Sequence, residues 1–304
     1  MHGEIHEKNE QDQQAGLSVV ELVKQLEKGA LTSLQLADAL LEHIKNNDEN
    51  IHAFAYVDEE LVREQARNAD MFRLKGRPLG PLHGIPVAIK DIIDTKDMPT
   101  QYGTPVHKGR RPEEDATLIS LLKEAGAIIL GKTVTAEFAY LKPGPTRNPH
   151  NLEHTPGGSS SGSAAAVAAA MSPLSIGTQT NGSVIRPGAY CGIYAFKPTF
   201  GRISRNGVLR TSAPLDTIGL FGRSLEDLAI LADVVMSYDS RDQDMVMTPK
   251  PQIARVMAED PPAPPSIAFI RSPVWHLAEQ STKDAFRELI EFYGEKTITI
   301  VDLP

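Results

Sequence analysis

An α/β fold with a largely parallel or mixed sheet is what this sequence predicts. Three observations carry the prediction. Short apolar runs bounded by Gly and Pro alternate with segments of helical period, capping pairs mark the helix starts, and no internal repeat interrupts the alternation.

The elements follow in order. Ser18 with Glu21 has capping-box spacing, and Val19, Leu22, Val23 and Leu26 recur at helical period before Gly29. Thr32 with Gln35 repeats the device ahead of Leu36, Leu40, Leu41 and Ile44. A polar helix is expected over 58–73, so two or three helices precede the first strand, 85–89. A helix over 115–125, ended by Gly126, feeds the apolar strand AIILG. An Ala-rich helix over 161–171 precedes a strand at 174–177, and 224–235 is helical. The stretch holding DSRDQD and then DPPAPP is expected to be a surface linker. After it SIAFIRS is a strand, 282–293 a helix and TITIVDL a strand with Ile298, Ile300 and Leu303 on its apolar side. The chain stops at Pro304 directly after that strand, and a sheet of this kind usually continues. The C-terminal end is therefore expected to be shortened, with an open sheet edge and bare apolar side chains.

Composition narrows the function classes. An apolar content of 41% suffices for a core across 304 residues. A net charge of −8, with no Lys/Arg-rich run, argues against nucleic-acid binding. The longest apolar tract, 164–171, is too short to span a bilayer. One cysteine, Cys191, excludes an internal disulfide and a cysteine-based zinc site, and reads as a small buried hydrophobe. Residues 1–16 are polar and charged, unlike a signal peptide, and are expected to be a disordered tail. A cytoplasmic setting is the default expectation.

The chemistry concentrates between Thr155 and Arg202. A Gly/Ser cluster, GGSSSGS, leads into the Ala-rich helix, the strand follows, and a second turn reads Gln179-Thr180-Asn181-Gly182-Ser183. This order puts Ser159 and Ser183 at the ends of neighbouring elements. Upstream, HGIPVAIKDIID is an apolar strand ending on Lys90. Amide hydrolysis needs an activated nucleophile, a proton route to the leaving nitrogen and donors for the oxyanion. A lysine buried at a strand end would be desolvated and could lose its proton near neutral pH. Ser159 could then relay a proton between Ser183 and Lys90. A tight Asn-Gly turn could aim several backbone N–H groups into one concavity.

Taken singly, each feature has a plainer reading. A Gly/Ser run is usually a flexible loop, a strand-end lysine a solvated charge and Ser183 a turn serine. His83 and His154, flanking the loops, read as structural. No Gly-Lys-Ser/Thr follows the cluster, so it is not a P-loop. Gly158 to Gly162 also fits the G-x-S-x-G nucleophile elbow with Ser160 as nucleophile, but TRNPHNLEHTPG before it cannot be the buried strand that motif requires, and only His276 lies downstream to complete a triad. The conjunction of Lys90, Ser159 and Ser183 raises the odds of a site.

That conjunction resembles the amidase signature family of Ser-cisSer-Lys hydrolases. The Lys90 strand, GGSSSGS, GTQTNGSVIRP and CGIYAFKPTFGRISRNGV carry the resemblance, which covers roughly 17–304. The spacings agree as well, 69 residues from Lys90 to Ser159 and 24 more to Ser183. The resemblance implies a mixed central sheet flanked by helices, with Ser183 as nucleophile, Ser159 as relay behind a cis peptide bond, and Lys90 as base. It implies an oxyanion hole from the backbone N–H groups of Thr180, Asn181, Gly182 and Ser183, and neither cofactor nor metal. Two positions depart from the family pattern. Gln179 stands where an Asp is usual, and Ile185 where an Arg is usual, with Arg186 one place later. The two changes remove both partners of an ion pair, so no buried charge is stranded.

The expected function is hydrolysis of a small-molecule carboxamide through an acyl-enzyme, releasing ammonia or an amine. The alternatives are the amidase subunit of a tRNA-dependent amidotransferase and a shortened, non-catalytic amidase-like chain. The partner expected is an amide substrate, without nucleic acid or membrane, and a homo-oligomer stays open.

Overall fold

The first two helices form where the capping pairs place them. The computed structural model describes residues 16–261, 263, 267–294 and 298–302. Helix α1 (Val19–Lys28) starts on a complete Ser18/Glu21 capping box and ends on Gly29 at φ 69°. Helix α2 (Ser33–Ile51) starts on the Thr32/Gln35 box. Each box satisfies two N–H groups that the helix itself cannot reach. Helix α3 (Glu59–Leu74) is capped by the Asp58 side chain.

Between α2 and α3 lies β1 (Phe54–Tyr56), a three-residue strand too short to show a period. The first strand in sequence is therefore this one, ahead of β2 (Pro86–Lys90). Helix α4 (Thr117–Glu124) leads to β3 (Ile128–Thr133), and α5 (Ser161–Ala168) leads to β4 (Leu174–Gln179). Helix α6 (Ile185–Tyr190), strands β5 (Tyr194–Phe196) and β6 (Thr217–Gly222), and helices α7 (Leu225–Val235) and α8 (Ile253–Met257) complete the unit that ends at Met257.

The six strands make one mixed sheet in the order β1-β3-β2-β4-β6-β5. Strands β3, β2 and β4 run parallel, while β1 and β6 are antiparallel to their neighbours. Both faces are covered, so β2, β3 and β6 are buried along their whole length. Side chains such as Leu36, Leu40, Ile89 and Leu220 are almost wholly removed from water, each contributing roughly 1.5–3 kcal/mol. The three parallel strands open their C-terminal ends on one edge, and the loops after β2, β3 and β4 gather there. That edge is the usual place for a ligand site in sheets of this kind.

The stretch DSRDQD lies at the surface only in part: Ser240, Arg241, Gln243 and Asp244 are exposed, but two aspartates are not. Asp239 and Asp242 are buried. Asp242 receives Arg205 Nε at 3.0 Å, Arg205 is itself buried, and Asp239 accepts from Thr117 and Ser204. Charged residues sit inside here because each is paired and hydrogen-bonded, which a polarity pattern cannot distinguish from exposure. Of DPPAPP, Asp260, Pro261 and Ala263 are described and exposed.

The second unit, Ala258–Pro304, holds β7 (Ile267–Arg271), helix α9 (Gln280–Tyr293) and β8 (Ile298–Asp302), with β7 and β8 paired in parallel. Phe269, Trp275 and Phe286 pack ring against ring within it, while Leu289 and Phe292 are exposed. The tail expected over 1–16 falls, apart from Gly16, outside the described residues, as do Leu303 and Pro304.

Candidate active site

Lys90 ends β2 in the middle of the sheet, and its side chain is completely buried. Its Nζ lies 2.8 Å from Ser159 Oγ and 2.8 Å from Thr178 Oγ1, with Thr178 O at 3.5 Å. No carboxylate forms an ion pair with it among the described residues. Burial pushes its pKa from 10.5 down to about 7, against a weaker opposing pull from the Asp216 carboxylate.

Ser159 precedes α5, and its peptide bond to Gly158 is cis, the geometry that the resemblance implies. Its carbonyl accepts from Ala136 N at 3.0 Å. Gly162, three residues on, serves close approach. A Cβ on Gly162 would lie 2.1 Å from Ala53 O and 2.5 Å from Val134 N, so α5 can press against the loop after β3 only with glycine there.

Ser160 is held away from any reacting group. It is wholly buried, its hydroxyl donates to Thr178 O at 3.1 Å, and it accepts from Thr178 N at 3.2 Å. No strand runs into it, since β3 ends at Thr133. The nucleophile-elbow reading has no support in this geometry.

Ser183 lies in the turn after β4, the strand parallel to β2. It opens into a cavity of about 470 Å³ whose wall includes Phe138, Tyr140, Thr180, Asn181 and Arg186. Within the described residues, none of the backbone N–H groups of Thr180, Asn181, Gly182 and Ser183 is engaged in a hydrogen bond of the fold. They remain available as donors. Ser159 lines an adjoining cavity of about 350 Å³ that shares Tyr140 and Arg186 with the first.

The single chain expected from Lys90 through Ser159 to Ser183 is half made. The Lys90–Ser159 link is present, but no hydrogen bond joins the two serine side chains among the described residues. What ties the two loops is the backbone: Ser160 N donates to Ser183 O at 3.4 Å. Among the described residues the Ser183 hydroxyl makes no other hydrogen bond.

Gln179, one of the two departures, and Arg186, the arginine one place after the other at Ile185, each find a partner. Gln179 Oε1 accepts from Val184 N at 2.9 Å and Ile185 N at 3.0 Å, ordering the turn behind Ser183. Arg186 donates from Nε and Nη2 to Gly158 O, both at 3.2 Å. Sequence reading missed Thr178 as a partner of Lys90, and it missed the loop after β3 as a wall of the site. In that loop Phe138 and Ala139 hold left-handed dihedrals, φ 51° and 56°, which non-glycine residues seldom adopt. Nothing in the local sequence signals that conformation. Cys191, by contrast, is the buried hydrophobe expected, its thiol pushed up to about 12 by burial.

Comparison with known proteins gives a consistent result. The Amidase family model matches residues 35–304. A glutamyl-tRNA(Gln) amidotransferase subunit from Salinispora arenicola is 39% identical over 296 residues, which is 94% of this chain and 60% of that protein. The peptide amidase of Stenotrophomonas maltophilia superposes with a TM-score of 0.83 at 30% identity, over 95% of this chain and 62% of the other. An amidase family protein from Bacillus anthracis superposes with a TM-score of 0.86 at 28% identity, over 99% and 64%. The chain thus spans between about half and 60% of the length of the curated relatives it matches.

Proposed function

Because this chain belongs to the amidase family, we propose that it hydrolyses the C–N bond of a small-molecule carboxamide through an acyl-enzyme, with Ser183 as nucleophile, Ser159 as relay and Lys90 as base. The observation that carries this reading is a fully buried lysine, 2.8 Å from a buried serine hydroxyl, with no ion-paired carboxylate among the described residues and a pKa brought to about 7. A base needs a pKa near the working pH, and desolvation supplies it here without a histidine.

Substrate enters the Ser183 cavity with its carbonyl oxygen toward the N–H groups of the 180–183 turn. Ser183 Oγ attacks the carbonyl carbon, its proton passes to Ser159 Oγ, and the proton of Ser159 passes to neutral Lys90 Nζ. Negative charge on the carbonyl oxygen is met by backbone donors fixed before the reaction, which costs no reorganisation. Lys90 then returns a proton through Ser159 to the leaving nitrogen, the C–N bond breaks, and ammonia or an amine departs. Water attacks the ester that remains, giving up its proton along the same route and restoring the Ser183 hydroxyl as the acid leaves.

The likeness to amidotransferase subunits favours a second reading, in which the chain releases ammonia for a partner protein. One experiment serves both. The chain is exposed to a fluorophosphonate probe, the modified residue is located by mass spectrometry, and ammonia release is measured from a simple aliphatic amide and from glutamine. Labelling at Ser183 with release from the simple amide alone supports the small-molecule reading. Release confined to glutamine supports the second, and labelling elsewhere than Ser183 removes both.

A further inference from the structure

We propose that Asp216 is a positioning residue of this site, clamping the Thr180 end of the nucleophile turn to the wall of the cavity formed by Thr211 and Ser212. The proposal rests on the reading of Ser183 as nucleophile. Asp216 immediately precedes β6, whose first residue, Thr217, pairs with Gln179 at the end of β4. That register sets Asp216 beside Thr180, where the turn begins.

The carboxylate is buried and all its acceptor capacity is used. Oδ1 accepts from Thr180 Oγ1 at 2.6 Å and from Thr211 Oγ1 at 2.9 Å. Oδ2 accepts from Thr211 N and Ser212 N, both at 2.7 Å. No cationic side chain forms an ion pair with it among the described residues, and Arg205 reaches only its backbone carbonyl, at 3.3 Å. A buried carboxylate without a salt bridge persists only where several donors converge on it. Here those donors come from two segments that line one cavity: Thr180, in the turn that also holds Asn181 and Ser183, and Thr211 with Ser212, the Thr180 and Thr211 hydroxyls themselves lying 3.1 Å apart. The clamp thereby fixes Thr180, the first of the four proposed oxyanion donors.

Its charge has a second effect. Asp216 is the anion that acts on Lys90, favouring the protonated form against burial. Other charged groups near Lys90 are otherwise engaged. Asp91, the next residue, accepts from Gln101 N and faces Lys132 and Arg110, and Lys132 on β3 donates to Ile93 O, Thr95 and Thr100.

The test uses the whole chain, the fluorophosphonate probe and three variants, Thr180→Val, Thr180→Ser and Asp216→Asn, with thermal unfolding followed alongside. In labelling, the Ser183 oxygen–phosphorus bond forms, fluoride leaves and the serine proton goes to the relay, so the rate reads both turn geometry and base. Thr180→Val should label about tenfold more slowly or worse. Thr180→Ser, which keeps the hydroxyl, should stay within about threefold of the native rate. Asp216→Asn should also label slowly, and the acid limb of its pH profile should move to lower pH as Lys90 loses its nearby anion. If the native chain labels at Ser183 and Thr180→Val matches its rate, the clamp is refuted. An unmoved acid limb in a folded Asp216→Asn refutes the electrostatic part, and if that variant does not fold the two Thr180 variants decide. A native chain that is not labelled at Ser183 removes the nucleophile reading and this proposal with it.

Discussion

Two lysines stand on neighbouring parallel strands of this sheet, both fully buried, and they differ in what surrounds the amine. Lys132 on β3 donates to Ile93 O at 2.6 Å, Thr100 Oγ1 at 2.6 Å and Thr95 Oγ1 at 3.3 Å, and the buried Asp91 supplies an opposing charge. Among the described residues, the amine of Lys90 on β2 hydrogen-bonds only to hydroxyls and one carbonyl, all from Ser159 and Thr178. Burial lowers both, to about 8 and about 7 respectively. The comparison teaches that desolvation alone does not make a base. Lys132 also meets hydroxyls, but those of Thr95 and Thr100 belong to the loop after β2 that it holds, whereas Lys90 meets the hydroxyl of Ser159, the proposed relay.

The largest expected effects separate the two directly. Ser183→Ala should abolish fluorophosphonate labelling, and Lys90→Met should slow it about a thousandfold or more while the protein stays folded. Labelling rates with a circular-dichroism melt check this. A Lys90→Met chain that labels normally would break the comparison at once.

Lys132→Met should show the opposite pattern. It removes the shortest hydrogen bond to Ile93 O and the larger of the two cationic influences on the Asp91 carboxylate, so stability should fall by about 3 kcal/mol. The labelling rate of the folded fraction should change only a few-fold. Urea unfolding and labelling on the same sample measure both quantities.

The two residues should also part in their pH behaviour. Lys90 must be neutral to accept a proton, so labelling should rise with pH through about 7. For stability, the folded pKa of Lys90 lies below its unfolded 10.5, so the unfolded chain binds more protons between about 7 and 10.5 and stability rises with pH across that window. Lys132 contributes in the same direction between about 8 and 10.5. Asp91 acts oppositely: burial raises it from 3.8 to about 6, so its contribution falls as pH rises through that interval. Lys90→Met should remove both the labelling limb near pH 7 and its share of the alkaline gain, whereas Lys132→Met should leave the labelling limb in place.

The smallest effect belongs to the serine beside the relay. Ser160→Ala removes two hydrogen bonds to the Thr178 backbone and should cost about 1–2 kcal/mol. Labelling at Ser183 should be close to native. A collapse of labelling with stability preserved would reinstate Ser160 as a reacting group.

The sequence by itself determined a good deal. Capping boxes at Ser18 and Thr32 and the apolar strands ending at Lys90 and Gln179 are local signals, readable because caps and alternation act over a few residues. The placement of Lys90, Ser159 and Ser183 near one sheet edge followed from their positions at element ends. Other features were beyond its reach. The three-residue β1 exists only because β3 offers it a pairing edge. DSRDQD reads as solvent-facing until Arg205, far away in sequence, is brought against Asp242. Likewise, a strand-end lysine is ordinary by its sequence. Its burial, its pKa near 7 and the hydroxyls around it are set by α5 and β4 closing over it, contacts between segments 69 and 88 residues apart. Tertiary structure decided the chemistry because a lysine's charge state depends on how much water it loses and what replaces it, and both are non-local.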